Sequence, residues 1–332
     1  MDDLSILKSK LALPSNIAIL SHRNPDGDAI GSSLAIKRYL STLGHRCQVV
    51  LPSEYPGVFE YLPEIEEVTV YDLVKQEALS ILQNADLLFC LDFNGLDRVD
   101  PLAMTITESS AFKVMIDHHL DPEPFADWYF SDTASSSTCE LVYRFIESMG
   151  HAPERVDLET ATCLFTGILT DTGSFKYGTN PEVYRIAAEL KKIGVDDYMV
   201  NDAIFNSWTH RQMTILGHAL RNRLEVIPEM KAGIIVLNKG DYQKYQISRG
   251  DTEGLVNYIL MIKGMELAVF VREMPHGEIR LSLRSKGDIS VQDLARKHFN
   301  GGGHKNASGG SSTLSLEATV EKLKEVIPNY TG

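Results

Sequence analysis

Between Asn16 and about Gly194, short apolar runs rich in β-branched and aromatic residues alternate with stretches of helical periodicity. The runs are NIAILSH, RCQVVLP, ADLLFCLDF and AFKVMIDHH, and helical segments such as DAIGSSLAIKRYLSTLG lie between most of them. Alternation of this kind predicts parallel strands joined by crossover helices, an α/β fold. Three runs end in acids or histidines: Ile19-Leu20 before His22, Leu88 to Leu91 before Asp92, and Val114 to Ile116 before Asp117. Ligands of open α/β sheets bind beyond the carboxyl ends of the strands, so these three strands are expected to bring their polar groups to one edge.

The texture changes after helical patterns over Pro181 to Ile193 and Trp208 to Arg223. ELAVFVREMPHGEIRLSLRSK reads as two strands joined by a turn at Pro275-His276-Gly277, a hairpin and not a crossover. The expected organisation is a parallel-sheet domain over residues 1–194, a connector over 195–214 and a smaller α/β domain over 215–332. A length of 332 residues favours two domains over one core. The net charge of -13 argues against a broad basic surface for long nucleic acid. Cys47, Cys90, Cys139 and Cys163 form no CxxC pair and read as small buried hydrophobes of a reducing compartment. No apolar run is long enough to cross a bilayer, and the amino terminus carries acids where a signal peptide needs bases. A cytoplasmic location without membrane attachment is expected.

The polar groups at the strand ends carry the chemistry. His22, Asp26 and Asp28 form H-x3-D-x-D directly after a strand. Asn24-Pro25-Asp26-Gly27 makes a good turn and Asp28 a good helix N-cap, but capping needs one acid and this loop supplies two acids and an imidazole. Asp92 ends ADLLFCL. In Asp117-His118-His119 an aspartate stands where it can orient one ring while the other nitrogen binds metal. Asp171 closes the apolar stretch LFTGILT. Carboxylates and imidazoles without thiolate suit Mn²⁺ or Mg²⁺, with the imidazoles favouring Mn²⁺. The set exceeds the needs of one ion, which predicts a pair roughly 3.5–4 Å apart bridged by one aspartate.

The order HRNPDGDAIGSS, LDFN, IDHH, GILTDTGSF and GGGHKNASGG resembles the DHH phosphoesterase superfamily, in the subfamily with a C-terminal DHHA1 domain. Within it the layout is most similar to the nanoRNase/pAp phosphatase type. That resemblance implies a Mn²⁺-dependent phosphohydrolase that degrades short oligoribonucleotides and dephosphorylates 3′-phosphoadenosine 5′-phosphate (pAp). It further implies that His22, Asp26 and Asp92 hold one ion, that Asp28, Asp92, His118 and Asp171 hold the other, and that Asp92 is the bridge. His119 would face the substrate phosphate or leaving group, and Asp117 would orient a neighbouring histidine. In the C-terminal domain the resemblance implies that Arg284 and the glycine loop Gly301-Gly302-Gly303-His304 grip substrate, which would lie in a cleft between the domains. Arg98, after FNGLD, is a weaker substrate candidate. Ser135-Ser136-Ser137-Thr138 reads as the N-cap of a helix beginning CELVYRF. A homodimer is kept open as the assembly. The rival readings are a linear- or cyclic-dinucleotide phosphodiesterase, a RecJ-like single-strand DNA exonuclease, an exopolyphosphatase, a pyrophosphatase and a non-catalytic nucleotide sensor.

Overall fold

In the computed structural model, which describes residues 3–248 and 250–331, successive residues of the first strand enter opposite cores. Ile17 and Ile19 face one hydrophobic cluster, Ala18 and Leu20 the other. A strand apolar on both faces needs helices on both sides, and the chain supplies them. The strands are β1 (Asn16–Leu20), β2 (Arg46–Leu51), β3 (Thr69–Val70), β4 (Leu87–Leu91), β5 (Phe112–Asp117) and β6 (Trp128–Ser131). They pair in the order β3-β2-β1-β4-β5-β6, every pair parallel. The short β3 and β6 extend the four strands read from the pattern, because two or four residues show no usable alternation. Strand order reverses at β1, so the carboxyl ends of β1 and β4 flank a topological switch point.

Helices Gly27–Thr42 and Leu158–Asp171 cross closely over one face of this sheet. A Cβ at Gly31 would lie 2.4 Å from the Cys163 carbonyl oxygen, and one at Gly167 would lie 2.2 Å from Cys139 Sγ. The N-cap of the helix Gly27–Thr42 is Asp26, not Asp28: the extended Asp26 accepts from the Asp28 and Ala29 N–H groups through one oxygen. The helix therefore begins at Gly27, which releases Asp28 to the interior.

The chain divides into Met1–Ser207 and Trp208–Gly332. The stretch read as connector contains the helix Asp197–Phe205, and Val195 and Val200 join the first unit's core. The pattern over Trp208 to Arg223 resolves into an α-helix, His210–His218, continued by a wider π-turn, Ala219–Arg223.

The second unit is built on β7 (Leu224–Ile227), β8 (Ala232–Leu237), β9 (Leu267–Glu273), β10 (Ile279–Ser285), β11 (Gly302–His304) and β12 (Ala307–Ser312), ordered β11-β12-β10-β9-β8-β7. Only the β8–β9 pair is parallel. Leu267, Val269, Leu281 and Leu283 face a core closed by Leu294 and Leu323, while Ala268 and Phe270 face Leu255 and Ile259. The β9–β10 hairpin matches the sequence reading.

The glycine loop does not. Gly302–His304 is an edge strand, and a Cβ at Gly301 would lie 2.0 Å from the Gly309 carbonyl oxygen. The glycines allow close backbone packing against β12, and the Gly301 N–H donates to Ala295 O at the end of the helix Val291–His298. Among the described residues no helix is long and apolar enough to cross a membrane.

Gly301→Ala is expected to destabilise the second unit by about 1–3 kcal/mol through overpacking. Gly302→Ala, whose Cβ would meet nothing nearer than Arg296 at 3.9 Å, should stay within about 0.5 kcal/mol. Denaturant unfolding followed by circular dichroism separates the two; equal losses would contradict the packing account.

Candidate metal centre

Four segments converge on the switch point. His22 follows β1 by two residues, Asp92 follows β4 directly, Asp117 ends β5, and Asp171 ends the helix Leu158–Asp171. Asp92 adopts a left-handed φ of 64° while its N–H donates to Ile116 O, a conformation an L-residue adopts at a cost and that aims its carboxylate across the edge. Its two oxygens face different partners. Oδ2 lies 3.3 Å from His22 Nε2, and Oδ1 lies 3.7 Å from His118 Nε2. His22 Nε2 is also 3.9 Å from Asp26, and His118 Nε2 is 3.2 Å from Asp171 and 4.0 Å from Asp28. Three groups able to hold a metal ion result: His22/Asp26/Asp92, Asp28/His118/Asp171 and Asp92/His118/His119, each with donor atoms within 4.8 Å of one another. All eight residues singled out at the strand and helix ends thus come together.

The imidazoles are oriented for this. His22 Nδ1 lies 3.0 Å from the Arg23 carbonyl oxygen and His118 Nδ1 lies 3.4 Å from that of Ser135. A carbonyl only accepts, so both Nδ1 atoms carry hydrogen and both Nε2 atoms face the carboxylates. His119 is held through Nδ1, 2.7 Å from Asp117 Oδ1, while its N–H donates to Asp117 Oδ2.

Local pattern missed one contributor. Asp28 accepts from the N–H groups of Thr138 at 2.6 Å and Cys139 at 2.8 Å, the opening of the helix Thr138–Ser148, where a carboxylate meets unsatisfied donors and the positive end of the helix dipole. The Thr138 hydroxyl donates to Asp92 Oδ1 at 3.0 Å. Ser137 is the N-cap, as read. The contacts of its neighbours span 46 to 111 residues of chain, so nothing local announces them.

Protein groups alone balance the charges badly. Burial, then the Asp92 and Asp26 charges, push Asp28 well above the usual carboxylate range, against the pull of His118. Asp171 rises too: burial of its carboxyl end lifts it, the charges of Asp28, Asp26 and Asp92 add to the rise, and Arg98 opposes it. Burial alone would lower His22, but Asp92 holds its imidazolium and pushes it up to about 9. Burial would raise Asp92, but the three histidines keep it below the usual range. Crowded carboxylates whose pKa values are driven up by burial and by one another, with two Nε2 atoms aimed among them, are a donor set fitted to divalent cations.

Arg98, in the turn Leu96–Val99, lies near enough for its charge to act on Asp171. The second unit carries a separate group. Arg284 pairs across the sheet with Ala307, and Ala307 with His304, which puts the arginine and histidine on one face about 10 Å apart. Arg284 donates to its neighbour's carbonyl, Leu283 O, and burial lowers its pKa; Glu253 supplies the opposing charge.

Residues 16–168 match the DHH family, N-terminal domain, and residues 233–329 match the DHHA1 domain. The chain is 30% identical over 319 residues to the bifunctional oligoribonuclease and PAP phosphatase NrnA of Thermus thermophilus, covering 95% of this chain and 90% of that protein. NrnA of Bacillus subtilis is 27% identical over 309 residues, with 91% and 90% covered. The crystal structure of an exopolyphosphatase-related protein from Bacteroides fragilis matches with a TM-score of 0.96 at 35% identity, covering 99% of this chain and 96% of that one. With both domains in order and full-length relatives of this kind, the chain belongs to the DHH phosphoesterases with a C-terminal DHHA1 domain and is an enzyme of that family.

Proposed function

We propose that this phosphoesterase hydrolyses short oligoribonucleotides to mononucleotides and removes the 3′-phosphate of pAp, using two divalent ions, with Mn²⁺ preferred and Mg²⁺ accepted. The observation that carries the reading is the Asp92 carboxylate, whose oxygens face His22 on one side and His118 on the other. His22, Asp26 and Asp92 would hold one ion, and Asp28, Asp92, His118 and Asp171 the second. Ions so held supply Lewis-acid polarisation of a phosphoryl oxygen and a water of lowered pKa for in-line attack. The names of the Thermus and Bacillus relatives support the substrate class.

The chain's own groups have distinct tasks in this scheme. Asp117 holds the His119 Nδ1 proton and fixes the ring, so that Nε2 serves the substrate phosphate or the leaving-group oxygen. Thr138 and the helix it opens hold Asp92 and Asp28 in place. Arg98 meets substrate beside Asp171. Arg284 and His304, with the open Gly302 nearby, take a further phosphate of the substrate; Gly301 and Gly303 pack against the backbone of β12 and serve the fold.

The test is kcat/KM with Mn²⁺ on pAp, a length series of RNAs, linear and cyclic dinucleotides, polyphosphate and long single-stranded DNA. Two- to four-nucleotide RNAs and pAp should lead, EDTA should abolish turnover, and Ca²⁺ should restore it poorly because it prefers oxygen donors alone. A rate that climbs with strand length, or a preference for polyphosphate, would overturn the substrate assignment.

Asp92→Ala should abolish turnover more completely than His22→Ala, since it removes a ligand from both ions. Thr138→Val should cost about 10–100-fold in metal affinity or activity, the usual cost of losing a partner behind a ligand. Steady-state rates over a Mn²⁺ titration decide both, and wild-type rates for Asp92→Ala at saturating Mn²⁺ would remove it as the bridge.

Metal affinity should rise with pH. The pKa values of His22, Asp28 and Asp171 are raised above their ordinary ones, so below the raised values an ion must displace protons to bind, and above them it need not. Affinity should therefore increase from about pH 6 toward pH 9, with proton release detectable by calorimetry in buffers of different ionisation enthalpy. A pH-independent affinity without proton release would contradict the ligand set.

A further inference from the structure

The segment after Asp171 is bent in a way its sequence does not favour. Gly173, Ser174 and Phe175 are consecutive left-handed residues, with φ of 54°, 62° and 60°. Glycine adopts that region freely, but Ser174 and Phe175 do so only under strain, which persists where the surroundings enforce it and which clusters at functional sites.

The enforcement is visible. Thr172 is buried and its hydroxyl donates to Ile168 O while accepting from the Phe175 N–H. The N–H groups of Lys176 and Tyr177 both donate to Thr172 O, at 2.8 and 2.9 Å, and Ser174 N–H donates to Leu169 O. The Phe175 ring packs against Phe165 and stacks on Tyr184 with centroids 5.6 Å apart.

What this turn presents is a ring. Tyr177 is 66% exposed, and a Cβ at Gly173 would come within 2.8 Å of two of its ring atoms. The ring thus lies against a backbone position two residues from Asp171, a path of at most about 7.6 Å between Cα atoms. An aromatic ring open to solvent, with the Cδ2 and Cε2 atoms against backbone that follows Asp171 by two residues, is what a base needs when its own phosphate sits at the carboxylate group.

We infer that Tyr177 is a base-stacking residue: its ring receives the nucleobase of the nucleotide whose phosphate lies at Asp28, His118 and Asp171. This rests on the phosphohydrolase reading above and adds where base recognition occurs. Stacking tolerates every base, since each has a π-face, so Tyr177 binds nucleotides without selecting sequence. The strained turn keeps the ring in place before substrate arrives, which reduces the ordering lost on binding.

The experiment compares wild type, Tyr177→Ala and Tyr177→Phe on an RNA dinucleotide and on analogues in which the first or the second base is replaced by hydrogen. Tyr177→Ala should raise KM for the dinucleotide by roughly 5- to 150-fold with little change in kcat. For the analogue lacking the stacked base the same variant should shift KM less than twofold, and Tyr177→Phe should restore dinucleotide binding. Independently of any variant, wild-type protein with Mg²⁺ should quench the fluorescence of 2-aminopurine riboside 5′-monophosphate on binding it, as a stacked base requires. Equal KM losses on the dinucleotide and both analogues, or binding of the fluorescent nucleotide without quenching, would overturn the assignment while leaving the phosphohydrolase reading intact. Wild-type inactivity on every one of these substrates would overturn both.

Discussion

Negative charge concentrated where water is scarce is the constraint on which the first unit depends. Asp28, Asp92 and Asp117 are each at most 2% exposed, and the solvent-exposed Asp26 and Asp171 complete the group at its rim. Buried carboxylates are costly unless paired, and three imidazoles, a threonine hydroxyl and the start of one helix compensate them in part. The residual imbalance appears in the raised pKa values of Asp28 and Asp171, lifted by burial and by neighbouring carboxylates. A fold that keeps such a cluster gives up stability for a site that positive charge completes.

The architecture reads as the means of assembling that cluster. Parallel strands place three carboxyl ends side by side, and the reversal at β1 opens the edge between β1 and β4. The close crossing of Gly27–Thr42 and Leu158–Asp171, which Gly31 and Gly167 permit, brings Asp171 alongside Asp28. A Cβ at Gly167 would also lie 2.7 Å from an Asp28 oxygen, so helix packing and ligand placement are one constraint. The left-handed residues at Asp92 and after Asp171 show where the chain accepts strain to aim side chains.

The second unit solves a different problem. Its sheet uses glycine and serine along β12 and glycine along β11, so few long side chains stand on the strands next to Arg284 and His304. Arg284 is partly buried and bonded to a neighbouring carbonyl, with Glu253 as its opposing charge. Steric fit to the backbone decides Gly301, while Gly302 faces open space.

Much of this was legible in the chain itself. The alternation of apolar runs and helical segments determined the parallel sheet, because strands buried on both faces must be apolar throughout, and acids at their ends could only gather at one edge. His22, Asp26, Asp92, the Asp117-His118-His119 triplet and Asp171 were therefore identifiable from position and donor type. Only the tertiary structure decided that Asp26 and not Asp28 caps the helix Gly27–Thr42, that Thr138 supports Asp92 from 46 residues away, and that Gly302–His304 forms an edge strand. The reason is range: periodicity reports which face of an element is buried, whereas a cap, a hydrogen bond across the sheet edge or a glycine fitted to a neighbouring strand depends on what another part of the chain places there.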